Sequence, residues 1–170
     1  MLSSETAMGD HPVEAVEAMS RICEGSEGQN PLTMKGSNYS IENKKVDRAI
    51  AMACMLTADN LNPTAIAAIT ESGSTALWMS RINHSVPIFA LTTHTRTLRK
   101  VTLYRGVYPA RIKTIDTNHE TVNRDAINVL TNLNVAKDDD LVIITKGDLA
   151  GIEGGTNAIK VVRVGHLAEI

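Results

Sequence analysis

The feature that most constrains this chain is a rhythm that sets in near residue 46. Short apolar runs alternate with stretches whose apolar residues recur at helical spacing. Val46, Ala49, Ile50, Ala53, Cys54 and Leu61 mark a helix that stops before Asn62-Pro63, because proline disfavours helical geometry in the residue ahead of it. Ala65 to Thr70 reads by length and position as a buried strand. Residues 73–83 give a helix through Ala76, Leu77, Met79 and Ile82, and Pro87 to Thr92 a second strand. Residues 94–104 give a short helix, and Val107 to Thr114 a third strand. Thr117 to Asn134 is a long helix with Val122, Ala126, Val129, Leu130 and Leu133 on one side. Leu141 to Thr145 and Asn157 to Val164 are the last two strands. Such alternation predicts an α/β fold, a parallel sheet with helices on both faces. The last connection, Lys146 to Thr156, holds four glycines and no helical pattern. It is too irregular for the crossover that a parallel return needs, so strand five is expected to run antiparallel.

Size narrows the reading further. A chain of 170 residues is one ordinary domain and too short for a (β/α)8 barrel, which needs about 250 residues. With 17 Lys and Arg against 19 Asp and Glu, the formal charge of −2 gives no nucleic-acid footprint and no membrane patch. Aromatic residues make up 3%, which leaves few platforms for stacking on bases. A basic segment leading into an apolar one is absent, as is a run of 18 apolar residues, so a cytoplasmic location is expected. Cys23 and Cys54 both lie in apolar helical patterns and read as small buried residues in a reducing compartment.

One part does not fit a single domain. Residues 1–26 read as a turn and a helix carrying Val13, Val16, Met19, Ile22 and Cys23. Residues 27–42 read as a linker rich in Gly, Ser, Asn and Pro, and residues 43–170 as the α/β domain. A helix ahead of a linker has nothing to bury its apolar stripe against, so its partner is expected outside this chain.

The most informative segment for chemistry is Thr70-Glu71-Ser72-Gly73-Ser74-Thr75, which leaves a buried strand and opens a helix. Free backbone N–H groups at a helix start favour an anion, three hydroxyl residues after Glu71 add donors, and Gly73 permits close approach. This is the composition of a phosphate cradle; the alternative is a plain helix cap supplied by Ser72. Glu71 opposes an anion, which suits the loop to a monophosphate or to a phosphate offset from that carboxylate. The second segment runs from Thr145-Lys146-Gly147-Asp148 through Gly151, Gly154, Gly155 and Thr156. If strands one and four are neighbours, both loops face one crevice and Lys146 supplies a cation; otherwise it is a surface hairpin. Arg124 on the long helix either reaches that crevice or sits on a solvated face. Thr93, His94, Thr95 and Arg96 open another helix, either with an anion nearby or as a plain capped start. The five histidines are scattered without metal-ligand spacing, and Asp138-Asp139-Asp140 reads as a solvated turn.

In order along the chain, several segments resemble one family. Met1-Leu2-Ser3-Ser4-Glu5-Thr6-Ala7-Met8-Gly9-Asp10-His11-Pro12 is similar to the segment that closes the last βα unit of the catalytic barrel in pyruvate kinases. Thr70 to Ala76 resembles that family's effector loop, and Leu103-Tyr104-Arg105-Gly106-Val107 its L-Y-R-G-[VI] motif. Leu141 to Thr145 with Gly155-Thr156-Asn157 resembles its late strand and G-x-T-N motif. The detail is most like the bacterial form activated by sugar monophosphates or AMP. The resemblance implies a three-layer α/β/α sandwich with strand order 3-2-1-4-5, preceded by a barrel helix. It implies an effector site at Thr70, Ser72, Gly73, Ser74 and Thr75, with Lys146 and Gly147 in a second effector loop and Arg124 near a second-phosphate position. Glu71 stands where some members have lysine, which argues against fructose 1,6-bisphosphate. Ser3 aligns with a serine at the edge of the active site, and Met8 replaces a lysine of some members. No catalytic residue, cofactor or metal is implied within this segment. Mg²⁺ and K⁺ belong to the intact enzyme, a tetramer that moves a phosphoryl group from phosphoenolpyruvate to ADP. Two other functions fit less well. A sugar-phosphate isomerase shares an S-x-S-G-x-T loop but needs a better-placed base than Glu71. A chiefly structural module would self-associate through the 43–61 helix or the last strand.

Overall fold

The computed structural model describes residues 1–29, 45–82, 84–113, 119–148 and 154–166. It divides into two compact units, Met1–Leu32 and Thr33–Ile170. The first holds α1 (Ser4–Ala7) and α2 (Pro12–Gln29). Helix α2 runs to Gln29, three residues past the expected end at 26, so Glu27, Gly28 and Gln29 stand within it rather than in the linker. Within this unit α1 buries nothing, and Val13, Val16 and Ile22 of α2 are 65%, 50% and 65% exposed. Cys23 is exposed too, contrary to expectation, because two short helices offer no second apolar face to cover it.

The second unit contains α3 (Val46–Leu61), β1 (Ala65–Ile69), α4 (Ser74–Ser80), β2 (Ile88–Thr92), α5 (Thr95–Val101), β3 (Val107–Arg111), α6 (His119–Asn132), β4 (Leu141–Gly147) and β5 (Thr156–Arg163). The strands form one sheet in the order β3-β2-β1-β4-β5, with three parallel pairs and an antiparallel β4–β5 pair, as the sequence pattern and the resemblance led us to expect. Helix α3 ends at Asn62, whose left-handed φ of 46° and N–H bond to Ala58 O close the last turn ahead of Pro63.

Two cores flank the sheet. Ala65, Ala67, Ile69, Val142 and Ile144 pack with Val122, Ala126, Ile127 and Leu130 of α6 on one face. Ile66, Ala68, Ile88, Ala90 and Ile143 pack with Ala51, Cys54 and Met55 of α3, Ala76 and Met79 of α4, and Val101 of α5 on the other. Strand β1 is buried along its whole length, as a central parallel strand must be. At the open β3 edge, Ile88 N–H donates to Gly106 O and Ile112 N–H to Thr92 O, so the even-numbered residues pair with β2. Pro109 therefore faces outward, where its missing N–H costs no ladder bond and offers none to a foreign strand.

Burial pushes the Cys54 thiol up from 9.0 to about 12. Because the thiolate is the reactive species, a disulfide-exchange reagent at pH 8 should modify one thiol per native chain, Cys23, and both in denaturant. Thiol counting by absorbance checks this; two fast thiols in the native chain would contradict the packing of α3.

Candidate functional site

Chain direction across the sheet reverses at the β1–β4 pair: β1, β2 and β3 step one way, and β4 and β5 the other. Parallel pairing of Ala65 with Val142 through Ala68 with Thr145 brings the loop after β1 beside the end of β4. Crevices of this kind, at the carboxyl ends of strands flanking a reversal, are where open α/β sheets bind ligands.

The loop after β1 is tied down from several directions. Thr70 Oγ1 accepts a 2.9 Å hydrogen bond from Gly73 N–H. Gly73, not Ser72, occupies the cap position of α4, at φ 81° and without a side-chain cap bond. A Cβ on Gly73 would lie 2.9 Å from Val101 Cγ1, so both the left-handed backbone and the packing call for glycine. Ser74 Oγ donates to Asp47 Oδ2 at 3.0 Å, and the other oxygen of this buried carboxylate accepts from Arg48 N–H at 2.9 Å. Thr75 Oγ1 and Thr156 Oγ1 share a buried 2.6 Å hydrogen bond that joins α4 to the start of β5. Three of the loop's hydroxyls thus hold the scaffold together. Ser72 Oγ makes none of these bonds and Thr70 Oγ1 only accepts, so their O–H groups remain as donors together with the backbone N–H groups at the start of α4. Thr145 Oγ1, buried on β4, has no hydrogen-bond partner among the described residues.

Helix α5 and the residue ahead of it hold the same loop from the β2 side. His94 Nε2 and Glu71 Oε2 are 2.5 Å apart. Thr97 Oγ1 donates to Glu71 O at 2.6 Å, and Lys100 Nζ to Ser72 O at 3.2 Å. Sequence reasoning took His94 for a scattered surface histidine and did not single out Lys100. The signal was present in the topology: β1 and β2 are adjacent and parallel, with Ile69 level with Leu91, so the residues that follow each strand must meet.

The second segment is only partly described, since residues 149–153, including Gly151, lie outside the described residues. Gly147 pairs with Thr156 at a register irregularity, and a Cβ on it would meet Gly155 O at 2.6 Å. Asn157 Nδ2 donates to Asp148 Oδ2 at 2.8 Å, and Asp148 N–H to Asn157 Oδ1 at 3.2 Å, which closes the hairpin stem. Lys146 is buried. Alternation along β4 puts it, with Val142 and Ile144, on the α6 face, opposite the face that α4 and α5 cover. Desolvation, and then the charge of Lys160, hold its ammonium below the ordinary 10.5, against an opposing pull from Asp148. Arg124 is exposed on α6. The structure therefore brings Thr70, Ser72, Gly73, Ser74, Thr75 and Gly147 to one end of the sheet, while Lys146 and Arg124 project from its other face. Among the described residues no three His, Cys, Asp or Glu side chains gather to hold a metal ion.

With this geometry in hand, comparison with known proteins is decisive. Residues 48–162 match the family model for the pyruvate kinase alpha/beta domain. The chain belongs to the pyruvate kinase family. It is 41% identical over 165 residues to the pyruvate kinase of Buchnera aphidicola from Schizaphis graminum, an alignment covering 96% of this chain and 34% of that protein. Pyruvate kinase II of Salmonella typhimurium is 39% identical over 165 residues with the same shares, 96% and 34%. The Thermotoga maritima pyruvate kinase is 31% identical over 164 residues, again 96% and 34%. The chain thus spans about a third of the length of these curated relatives and corresponds to the C-terminal alpha/beta domain of a pyruvate kinase.

The position of Lys146 carries a pH signature. A lysine held below its ordinary value in the folded state binds its proton less well there than in the unfolded chain. Its charge therefore destabilises the fold below the lowered value, and the penalty vanishes as pH rises to 10.5. Lys146→Met should raise the melting temperature at pH 7, with the gain narrowing as pH approaches 10. Calorimetric scans across that range check it; a gain that grows with pH would contradict the desolvation argument.

Proposed function

We propose that this segment binds a phosphorylated regulator, a sugar monophosphate or AMP, on behalf of a pyruvate kinase, and that it contributes to subunit association. The observation that carries the first part is the meeting of the Thr70–Thr75 loop with Gly147 at the sheet reversal. There, the Ser72 hydroxyl, the N–H groups at the start of α4 and the glycines of both loops supply the donors and the close backbone approach that a phosphate needs. In the intact enzyme the phosphoryl transfer from phosphoenolpyruvate to ADP, with its Mg²⁺ and K⁺, belongs to the catalytic barrel, so the segment alone turns over no phosphoenolpyruvate. In this reading the fixed loop receives the phosphate, and binding energy is spent on holding the loop, α4 and the start of β5 in one arrangement. No helix among the described residues is long and apolar enough to cross a membrane, which is compatible with a cytoplasmic enzyme.

A ligand that binds only the folded state raises its stability by an amount set by concentration over Kd. At a hundredfold excess over Kd the gain is about 2.7 kcal/mol, or about 5–10 °C for a chain of this size. Ribose 5-phosphate, glucose 6-phosphate and AMP should give such shifts in a thermal melt of this chain. Fructose 1,6-bisphosphate should give the smallest, because Arg124, the residue near the expected second-phosphate position, projects from the other face of the sheet. No shift with any of the four at millimolar concentration would remove the effector reading.

For association, α3 carries Val46, Leu56 and Leu61 at 60%, 50% and 47% exposure, an apolar surface that a partner subunit would cover. Light scattering should give a mass that is a multiple of 18.3 kDa, and Leu56→Asp should shift it toward the single chain. A monomer in the unmodified chain at high concentration would remove α3 as an autonomous interface.

A further inference from the structure

The proposed site lacks the cation expected of it, because Lys146 points to the other face of the sheet. Helix α5 offers a substitute. From Ser72 to Ile115 the sequence holds no Asp or Glu, yet it carries Arg81, Arg96, Arg99, Lys100, Arg105, Arg111 and Lys113. All seven are exposed, so this half of the sheet is a cationic region within a chain of net charge −2. Lys100 is the member that reaches the loop, with Nζ 3.2 Å from Ser72 O. An ammonium has three donors, and this hydrogen bond uses one of them. The two carboxylates nearest the loop are both engaged. Glu71 is hydrogen-bonded to His94, and Asp47 to Ser74 Oγ and Arg48 N–H. Glu71 had argued against an anion at this loop. Its carboxylate is turned to His94 on the α5 side, and its side chain is only 17% exposed.

We infer that Lys100 of α5 is the cation that meets the phosphate at the Thr70–Thr75 loop, with His94 holding Glu71 so that it does not repel the ligand. This rests on the effector reading above and adds to it a specific binding residue from a different element. Lys100 acts through its charge, whereas Thr97 and Gly73 act only by shaping the loop.

The test is calorimetric titration of the full chain with ribose 5-phosphate and, separately, AMP. Lys100→Gln should weaken both by about tenfold or more, the usual worth of a charge-assisted hydrogen bond. Lys100→Arg should recover most of the loss, and Lys146→Gln should leave affinity within about threefold of the unmodified chain. His94→Gln should weaken binding, and Glu71→Gln added to it should restore binding. Raising the salt concentration should weaken the unmodified chain more than Lys100→Gln. If the unmodified chain binds but Lys100→Gln binds equally well, or if Arg fails to rescue, this inference falls while the effector reading stands. If neither ligand binds the unmodified chain, both fall. Melting temperatures of each variant, expected within a few degrees of the parent, separate lost binding from lost folding.

Discussion

The structure depends on β1 being a strand that can be buried on both faces and paired on both edges at once. Its sequence, Ala65-Ile66-Ala67-Ala68-Ile69, meets this with small residues that let helices approach closely and two isoleucines that fill one core each. Parallel pairing to β2 on one side and β4 on the other follows, and with it the reversal of direction that brings two connecting loops together. The candidate site is a by-product of that topology. It needs no special fold, only loops whose composition exploits the place where they meet.

Much of this was legible in the sequence. The alternation of apolar runs and helical patterns gave the strands of the sheet, and the absence of a helical pattern after Lys146 gave the antiparallel last strand, because both depend on periodicity that burial imposes directly. Element ends were less legible. Strand β4 continues through Lys146 and Gly147, two residues beyond the apolar run, since a ladder to β5 needs backbone groups and not apolar side chains. Cys23 looked buried because α2 has an apolar stripe, but a stripe says only that a partner face is wanted, not that one is present within the unit.

The loop itself was legible as composition and not as connectivity. Its hydroxyls read as ligand donors, and the bonds that Thr70, Ser74 and Thr75 make to Gly73, Asp47 and Thr156 could not be read from that composition. Glu71 looked like an obstacle, and its partner His94 lies 23 residues away. Lys146 looked like the cation because it sits beside the loop in the strand order, but the side-chain period of two turns it to the other face. Each of these connections was hidden for one reason. Side-chain partners across elements are set by tertiary placement, which a local pattern does not carry.

The bonds that fix the loop also decide when it can work. Ser74 meets a residue 27 positions earlier, and Thr75 one 81 positions later, on the final strand. Contacts of such separation form only after the intervening chain has found its place. A growing chain could therefore shape its parallel core, and most of the loop's anchors, while the bond from Thr75 to Thr156 stayed unmade. The site would take its final form only when β5 docks, so ligand binding reports completion of the whole sheet, not of the strand from which the loop springs.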